Sequence, residues 1–396
     1  MGNKKFFDFI NNSTPVEIDY IWLKKYESVL NRQITVKNRD VVYYNRPILF
    51  VEVHGGGLVG YGECSALESP YYTSEYCDEA IFVLQYFILD LLRSRFGTRF
   101  QIGELNNFLA KIQGHNMAKS AVEMAVIDLT LKRQNISLRS LLDSTTDIVK
   151  FGGVVDGTNA IAETLDEVKT LVNLGYSRIK VKVNPSVSPK YLRDIRNEFN
   201  DLEMFVDANE SFESFKAALD YFKEIEDCNL TMIEQPFDRD EILSNTRLGG
   251  LVAPPICLDE PIISVKAGKS LIETGACDIP CVKVGRMGGI IEVLRFHEVM
   301  EESGIFGYIG GNFSSDLAKW VDCLLASLPQ FNMIADISLK NRGPDLNLSS
   351  EIGLEVVNGG GKGFKIIPET TGLGRKFNLD NDKERVSYEF NYLMKR

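Results

Sequence analysis

Five charged residues, each closing a short apolar run, recur between residues 182 and 283: Lys182 in IKVKV, Asp207 in MFVDAN, Glu234 in MIEQP, Asp259 in ICLDE and Lys283 in CVKVG. The steps between them are 25, 27, 25 and 24 residues, close to one strand, one helix and two loops. Laid side by side in a parallel barrel, such units bring three carboxylates together at the C-terminal mouth, with a lysine on either flank. Like charges packed so closely are costly unless a cation neutralises them. Asp207, Glu234 and Asp259 would supply hard oxygen donors with no histidine or cysteine expected beside them, a set that suits Mg2+, or Mn2+, rather than zinc.

The neighbours refine the chemistry. Asn209, two positions after Asp207, points the same way and is placed to touch a metal ligand or a substrate. Glu260 follows Asp259 directly, so on an extended strand it faces the other side and would orient a neighbour. Lys180 and Lys182, two apart on one strand, share a face and must both enter the barrel if either does. Mutual repulsion and desolvation there favour the neutral amine at one of them, which can then take a proton. A cation beside such a base suits removal of a proton α to a carboxylate, because the charge that builds on the carboxylate oxygens needs a positive partner.

These side chains require a scaffold of alternating short strands and amphipathic helices. The chain has that texture from about Val149 to Asp336, with strands expected near 151, 179, 204, 231, 256, 280, 307 and 332 and no clear helix in the last unit. The expectation is an α/β fold, a modified (β/α)8-type barrel over residues 150–352. Upstream, residues 14–145 read as an α+β capping domain. A strand meander runs to Glu63, with Pro47–His54 extended and Gly55–Gly57 a turn. A helix starting near Thr73 then carries the Ala80–Leu92 apolar run, and a second spans Met117–Lys132. Residues 353–396, with a turn at Gly359–Gly361, are expected to return to the capping domain.

Composition bounds the partners. With 396 residues, 44% of them hydrophobic, the chain can bury a large core, and a formal net charge of −11 would repel nucleic acid and anionic membrane. A small carboxylate substrate fits better. The opening MGNKKFFDFINNSTP has no long apolar segment or small-residue cleavage site, and no apolar stretch is long enough to span a bilayer, so a cytoplasmic protein is expected. Seven scattered cysteines, an odd number, read as reduced thiols packed as small hydrophobes, Cys277 and Cys281 included. None of the three histidines, at 54, 115 and 297, ends an expected barrel strand, and His115 opens a helix as a capping or packing residue. The glycine runs at 55–57, 285–289 and 359–361 lack the strand and helix context of a dinucleotide site and read as turns.

At these residues the chain resembles the enolase superfamily, muconate-lactonizing-enzyme subgroup, with its KxK strand, its DAN, EQP and DE carboxylates and its late lysine. It is more closely similar to o-succinylbenzoate synthases and N-acylamino-acid (N-succinylamino-acid) racemases. That likeness is carried by Gly62-Glu63-Cys64, Pro70-Tyr71-Tyr72-Thr73, Gly114-His115-Asn116-Met117-Ala118-Lys119, Lys283-Val284-Gly285-Arg286-Met287-Gly288-Gly289, Leu325-Ala326-Ser327-Leu328-Pro329 and Asp336-Ile337-Ser338. The resemblance implies that Asp207, Glu234 and Asp259 bind magnesium, that Lys182 is the base and that Lys283 faces the other side of the substrate. Arg286 is placed beside that group, and Tyr71 and Tyr72 either on a mobile loop over it or in plain packing. The resemblance further implies a cap over the barrel, a homo-oligomer and, for a synthase, a place in menaquinone biosynthesis.

Two departures fall on the rim. Where the family reads GGMLET this chain has Gly310-Gly311-Asn312-Phe313-Ser314-Ser315, so Gly311 and Asn312 would meet an altered substrate. A serine that the family sets near the substrate aligns with Val155, followed by Asp156, whose charge would disfavour a second carboxylate there. Three functions remain open. They are an o-succinylbenzoate synthase-like dehydration needing Lys182 alone, a racemase or epimerase of N-acylated amino acids using Lys182 and Lys283, and a binding scaffold without activity.

Overall fold

The computed structural model describes residues 3–36, 41–337, 346, 354–356 and 362–395. Seven parallel strands, Gly152–Asp156, Arg178–Lys182, Glu203–Asp207, Ile233–Glu234, Ile256–Leu258, Ile279–Val282 and Tyr308–Ile309, lie side by side in chain order. Each is short, and its buried residues, apart from Arg178, Lys180, Asp207 and Glu234, are apolar, as suits strands covered on both faces. The eighth expected strand, near 332, is replaced by a bridge slightly further on. Phe151 pairs with Ala335, the Gly152 N–H donates to the Ala335 carbonyl at 3.0 Å, and the Asp336 N–H donates to the Ile309 carbonyl at 3.0 Å. Asp336 is thereby set at the mouth between the first and seventh strands.

The helices follow from pattern and caps. In Ile161–Leu174 the buried positions Thr164, Val168 and Leu171 form one stripe, and Gly175 at φ 99° ends the helix in the left-handed region where a side chain is strained. Ser214 and Ser264 cap Phe215–Glu224 and Val265–Glu273 by accepting the N–H of Ala217 and Ala267. Inside the barrel, Phe205, Met232, Cys257, Cys281 and Tyr308 make a small core of their own, distinct from the main one. All seven cysteines are free and buried, as expected.

The cap is an antiparallel sheet in the order Val386–Leu393, Tyr20–Tyr26, Ile48–Gly55 and Leu58–Cys64, so the chain's last strand pairs with one of its first. Helix Asn116–Arg133 crosses it with every residue from Met117 to Leu131 buried. It lies so close that a Cβ on Gly60 or Gly62 would fall 2.0 Å or 1.9 Å from the carbonyls of Ala125 and Ala121. The Ala80–Leu92 run lies in a helical stretch from Cys77 to Phe96 with a π turn over Leu84–Ile88. Its start falls at Tyr76 rather than Thr73, because Glu75 is committed elsewhere: its carboxylate accepts the N–H groups of Met117 and Ala118, both at 2.8 Å. Helix Lys4–Asn12 was not anticipated. The Gly359–Gly361 turn lies outside the described residues, as do residues 338–345 and 347–353.

Two further buried carboxylates join cap to barrel. Glu63 accepts from the N–H and hydroxyl of Ser315 and from the Ala318 N–H, at the start of helix Asp316–Leu325. Glu123 accepts from Ile290 at 2.6 Å and Ile291 at 3.2 Å, at the start of Ile290–Ser303. Helix N-termini offer unpaired N–H groups and a positive dipole end, which is where a buried carboxylate is best placed. The ends of the barrel helices are thus fixed to the sheet that overhangs the site. Among the described residues no helix is long and apolar enough to cross a membrane.

Candidate active site

Lys182, Asp207 and Glu234 are directly paired across three adjacent strands. The expected third carboxylate is not in that row, since Glu234 pairs with Cys257 and Asp259 lies two residues further along. Barrel strands are staggered, so a level row of side chains climbs in residue number from strand to strand. An offset of two keeps Asp259 on the same face.

Lys180 and Lys182 do enter together, but Lys180 is no neutral amine. Its buried Nζ lies 2.5 Å from Asp336 Oδ2, 3.2 Å from Asp207 Oδ2 and 3.3 Å from Glu234 Oε2. Burial pulls its pKa down, yet Asp336, Glu234 and Asp207 outweigh it and hold the ammonium well above the ordinary lysine value. The expected repulsion between lysines is overridden by carboxylates, one of which had no assigned role. Asp336 also pairs with Arg178, whose guanidinium stacks over Phe205 at 4.5 Å. Burial would raise Asp336, but Lys180 and Arg178 bring it down to about 2.

Lys182 meets Asp207 Oδ2 at 3.3 Å and Asn209 Oδ1. Asn209 Nδ2 reaches Glu260 Oε1 at 3.4 Å, so Glu260 faces the site rather than the far side. The alternation rule fails because the strand ends at Leu258 and the chain has already turned. Glu260 is pushed up to about 7, first by burial and then by Asp259, and its Oε2 has no hydrogen-bond partner among the described residues. Asn209, Glu210 and Gln235 follow the strand ends at φ 41°, 64° and 40°, a left-handed backbone that clusters at functional sites. Gln235 in turn holds the Asp259 N–H at 3.0 Å.

On the opposite flank Lys283 Nζ lies 2.8 Å from Asp259 Oδ2, and Arg286 Nη2 lies 2.5 Å from Asp259 Oδ1. Burial raises Asp259, but Arg286 and Lys283 hold it well below the carboxylate range. Burial lowers Lys283, and Asp259 more than restores it, so the group is an ammonium. Gly310 leaves room for this side chain: a Cβ there would fall 3.1 Å from Lys283 Cε. Tyr72, from the cap, places its hydroxyl 2.6 Å from Lys283 Nζ and 2.9 Å from Asp259 Oδ2. Tyr308, inside the barrel, donates to Glu234 Oε2 at 2.7 Å.

The donor set fits a hard divalent ion. Glu234 is driven up to about 8 by burial and then by the charge of Asp207, so its anion is short of positive charge. Among the described residues, ligand atoms of Glu234, Asp259 and Cys281 lie within 4.8 Å of one another, a group that does not include Asp207; its Oδ2 is drawn instead to the two lysines. Burial, then Asp259 and Glu234, push the Cys281 thiol well up, so it stays a protonated member of the apolar floor. The remaining donors are carboxylate oxygens.

The rim differs from expectation. Val154 and Asp156 pair with Lys180 and Lys182, whereas Val155 pairs with Val181 and packs outward in the main core. Asp156 Oδ1 accepts from the N–H and hydroxyl of Thr158, closing its own turn. Asn312 donates to the Ser65 carbonyl at 2.9 Å, and Ser315 binds Glu63. These substitutions therefore serve the junction with the cap. Gly311 packs on the Asp336 backbone, where a Cβ would fall 2.3 Å from its carbonyl oxygen. The histidines stand apart from the site: His115 meets Glu79 at 3.0 Å without capping its helix, His54 meets Glu52, and His297 contacts Asn3.

Asp336 and Tyr308 are site residues that the sequence left without a role, and Tyr72, expected on a loop over the site, was not tied to Lys283 or Asp259. Asp336 was findable by the rule that found the others, a carboxylate closing an apolar run, here MIAD.

A capped barrel with acidic strand ends between two lysines defines an enzyme class, and the comparisons agree. Residues 163–381 match the enolase C-terminal domain-like family, and residues 36–143 match the mandelate racemase / muconate lactonizing enzyme N-terminal domain. The chain is 33% identical over 375 residues to an o-succinylbenzoate synthase of Bacillus subtilis, covering 94% of this chain and 97% of that one. It is 34% identical over 316 residues to an N-succinylamino acid racemase of Amycolatopsis sp, covering 78% and 85%. A solved member of the enolase superfamily from Listeria innocua superposes with a TM-score of 0.87 at 27% identity, covering 96% of this chain and all of that one. The chain belongs to the enolase superfamily.

Proposed function

We propose that this enzyme removes the proton α to the carboxylate of a small substrate, with Lys182 as the base. Asp207, Glu234 and Asp259 would hold Mg2+ or Mn2+, which supplies positive charge to the carboxylate oxygens as the α-carbon loses its proton. The observation that carries the reading is the placement of the lysines: Lys182 stands at Asp207 and Lys283 at Asp259, on opposite flanks of the carboxylates.

Lys182 takes the proton on its Nζ, and the C–H electron pair moves into the substrate carboxylate. In an o-succinylbenzoate synthase-like dehydration, the pair returns to form a C=C bond and the β C–O bond breaks. The departing hydroxide leaves as water with the proton that Lys182 carries. Lys180, fixed by Asp336, lends positive charge to Asp207 and Glu234. A second reading is favoured by Lys283 being an ammonium pointed into the same space. There it donates a proton to the opposite face of the α-carbon and inverts it, as the name of the Amycolatopsis relative implies for an N-succinylated amino acid.

Both readings are tested by proton NMR in deuterated buffer with Mg2+ present. An N-succinyl amino acid is expected to lose its α-proton signal, and the β-hydroxy acid precursor of o-succinylbenzoate to yield the aromatic product. Neither change with either substrate, in Mg2+ or Mn2+, would show a binding scaffold instead.

A further inference from the structure

The two lysines are held by different parts of the molecule. Lys182 Nζ meets Asp207 Oδ2 at 3.3 Å and Asn209 Oδ1, both from the adjacent barrel strand and its loop. Lys283 Nζ meets Asp259 Oδ2 at 2.8 Å, but also the hydroxyl of Tyr72 at 2.6 Å, a cap residue 211 positions earlier in the chain. An ammonium only donates, so the Tyr72 oxygen accepts from Lys283 while its own hydrogen goes to Asp259 Oδ2 at 2.9 Å. The ring face adds attraction, with Nζ 4.9 Å from its centroid.

Tyr72 is itself fixed from behind. Its carbonyl accepts from Arg239 Nη2 at 3.3 Å, and Arg239 is held by Glu210 at 2.8 Å. Three residues earlier, the Ser69 carbonyl accepts from the Tyr43 hydroxyl at 2.9 Å. A lysine ends in three N–H bonds on a flexible four-carbon stem. Two contacts, to Asp259 and Tyr72, set the direction of the third; one contact leaves Nζ free to swing.

We propose that Tyr72 is a positioning residue for Lys283 and not for Lys182, so that the cap governs proton transfer on one face of the substrate while the barrel governs the other. This rests on the two-lysine reading of the site given above. Displacement of a reacting group by about 1 Å costs about 100-fold in rate, so loss of the hydroxyl should slow the Lys283 face by about 10- to 100-fold.

The experiment uses the full chain with Mg2+ in deuterated buffer and each enantiomer of N-succinylphenylalanine separately, reading early loss of the α-proton by NMR. Lys283→Ala identifies the enantiomer whose proton goes to Lys283. Tyr72→Phe is then expected to slow exchange of that enantiomer by about 10- to 100-fold and the other by less than about threefold. The ratio of the two rates within one preparation does not depend on the fraction folded, so partial misfolding cannot imitate the result. An unchanged ratio, or a larger loss on the Lys182 face, overturns the role of Tyr72 and leaves the two-lysine reading standing. A wild-type enzyme that exchanges neither enantiomer overturns that reading, and the role of Tyr72 with it.

Discussion

Replacing Asp336 by asparagine removes the carboxylate that joins Arg178 to Lys180. The side chains of Arg178, Asp336 and Lys180 are only 1%, 9% and 7% exposed, and breaking a buried ion pair by deleting one partner costs about 3–5 kcal/mol. The fall of Asp336 from 3.8 to about 2 accounts for roughly 2 kcal/mol of this at about 1.36 kcal/mol per pKa unit. Arg178 keeps the Ile334 carbonyl at 2.6 Å, and Lys180 keeps Asp207 and Glu234. The loss should therefore sit at the low end, about 3 kcal/mol, read from urea denaturation at pH 7. The pH dependence has a definite sign. A carboxylate whose folded pKa lies below its unfolded value stabilises the fold above the unfolded pKa, and that stability is lost as pH falls through the folded one. The gap between wild type and Asp336→Asn should therefore shrink by about 1 kcal/mol between pH 7 and pH 3. A variant within about 1 kcal/mol of wild type at pH 7, or a gap constant down to pH 3, would show that Asp336 does not hold Arg178 and Lys180 as an ion pair.

Glu123 carries the opposite sign. Its pKa rises from 4.5 to about 8, chiefly by burial, so its contribution is present below pH 4.5 and lost as pH rises through 8. Thermal midpoints of wild type should fall between pH 5 and pH 9 more steeply than those of Glu123→Gln, and parallel curves would remove the effect. Gly310→Ala places a Cβ 2.4 Å from Cys281 Sγ and 3.1 Å from Lys283 Cε; overpacking of about 1–3 kcal/mol should appear in denaturation, together with a fall in the proton exchange proposed for Lys283. Lys182→Ala should cost both dehydration and proton exchange about 100-fold or more, and either activity surviving at the wild-type rate would exclude Lys182 as the base. Asp259→Asn should weaken Mg2+ binding in calorimetry by more than about 100-fold, beyond the loss expected of a residue that only orients a ligand.

The barrel and the flanking lysines were legible because one-strand, one-helix spacing repeats in the chain and a charge ending an apolar run is a local signal. The closure was less so: the strand expected near 332 shrinks to a single bridge between Phe151 and Ala335, and the carboxylate beside it, Asp336, had no role assigned. Glu260 was misplaced because alternation holds only while the backbone stays extended. Val155 faced the wrong way for a related reason: an alignment shift of one residue moves a strand side chain to the other face. Glu63, Glu75 and Glu123, which accept N–H groups from helix ends, and Tyr72 on Lys283 are set by packing between segments far apart in sequence. No local pattern encodes those contacts.

The most direct test of the account is a crystal grown with Mn2+ and measured at the manganese absorption edge, where the ion is located by its own scattering. A single strong peak is expected, bounded by carboxylate oxygens of Asp207, Glu234 and Asp259, with Lys182 and Lys283 on its two sides. A peak elsewhere, or one held by the Cys281 sulfur in place of Asp207, would contradict it.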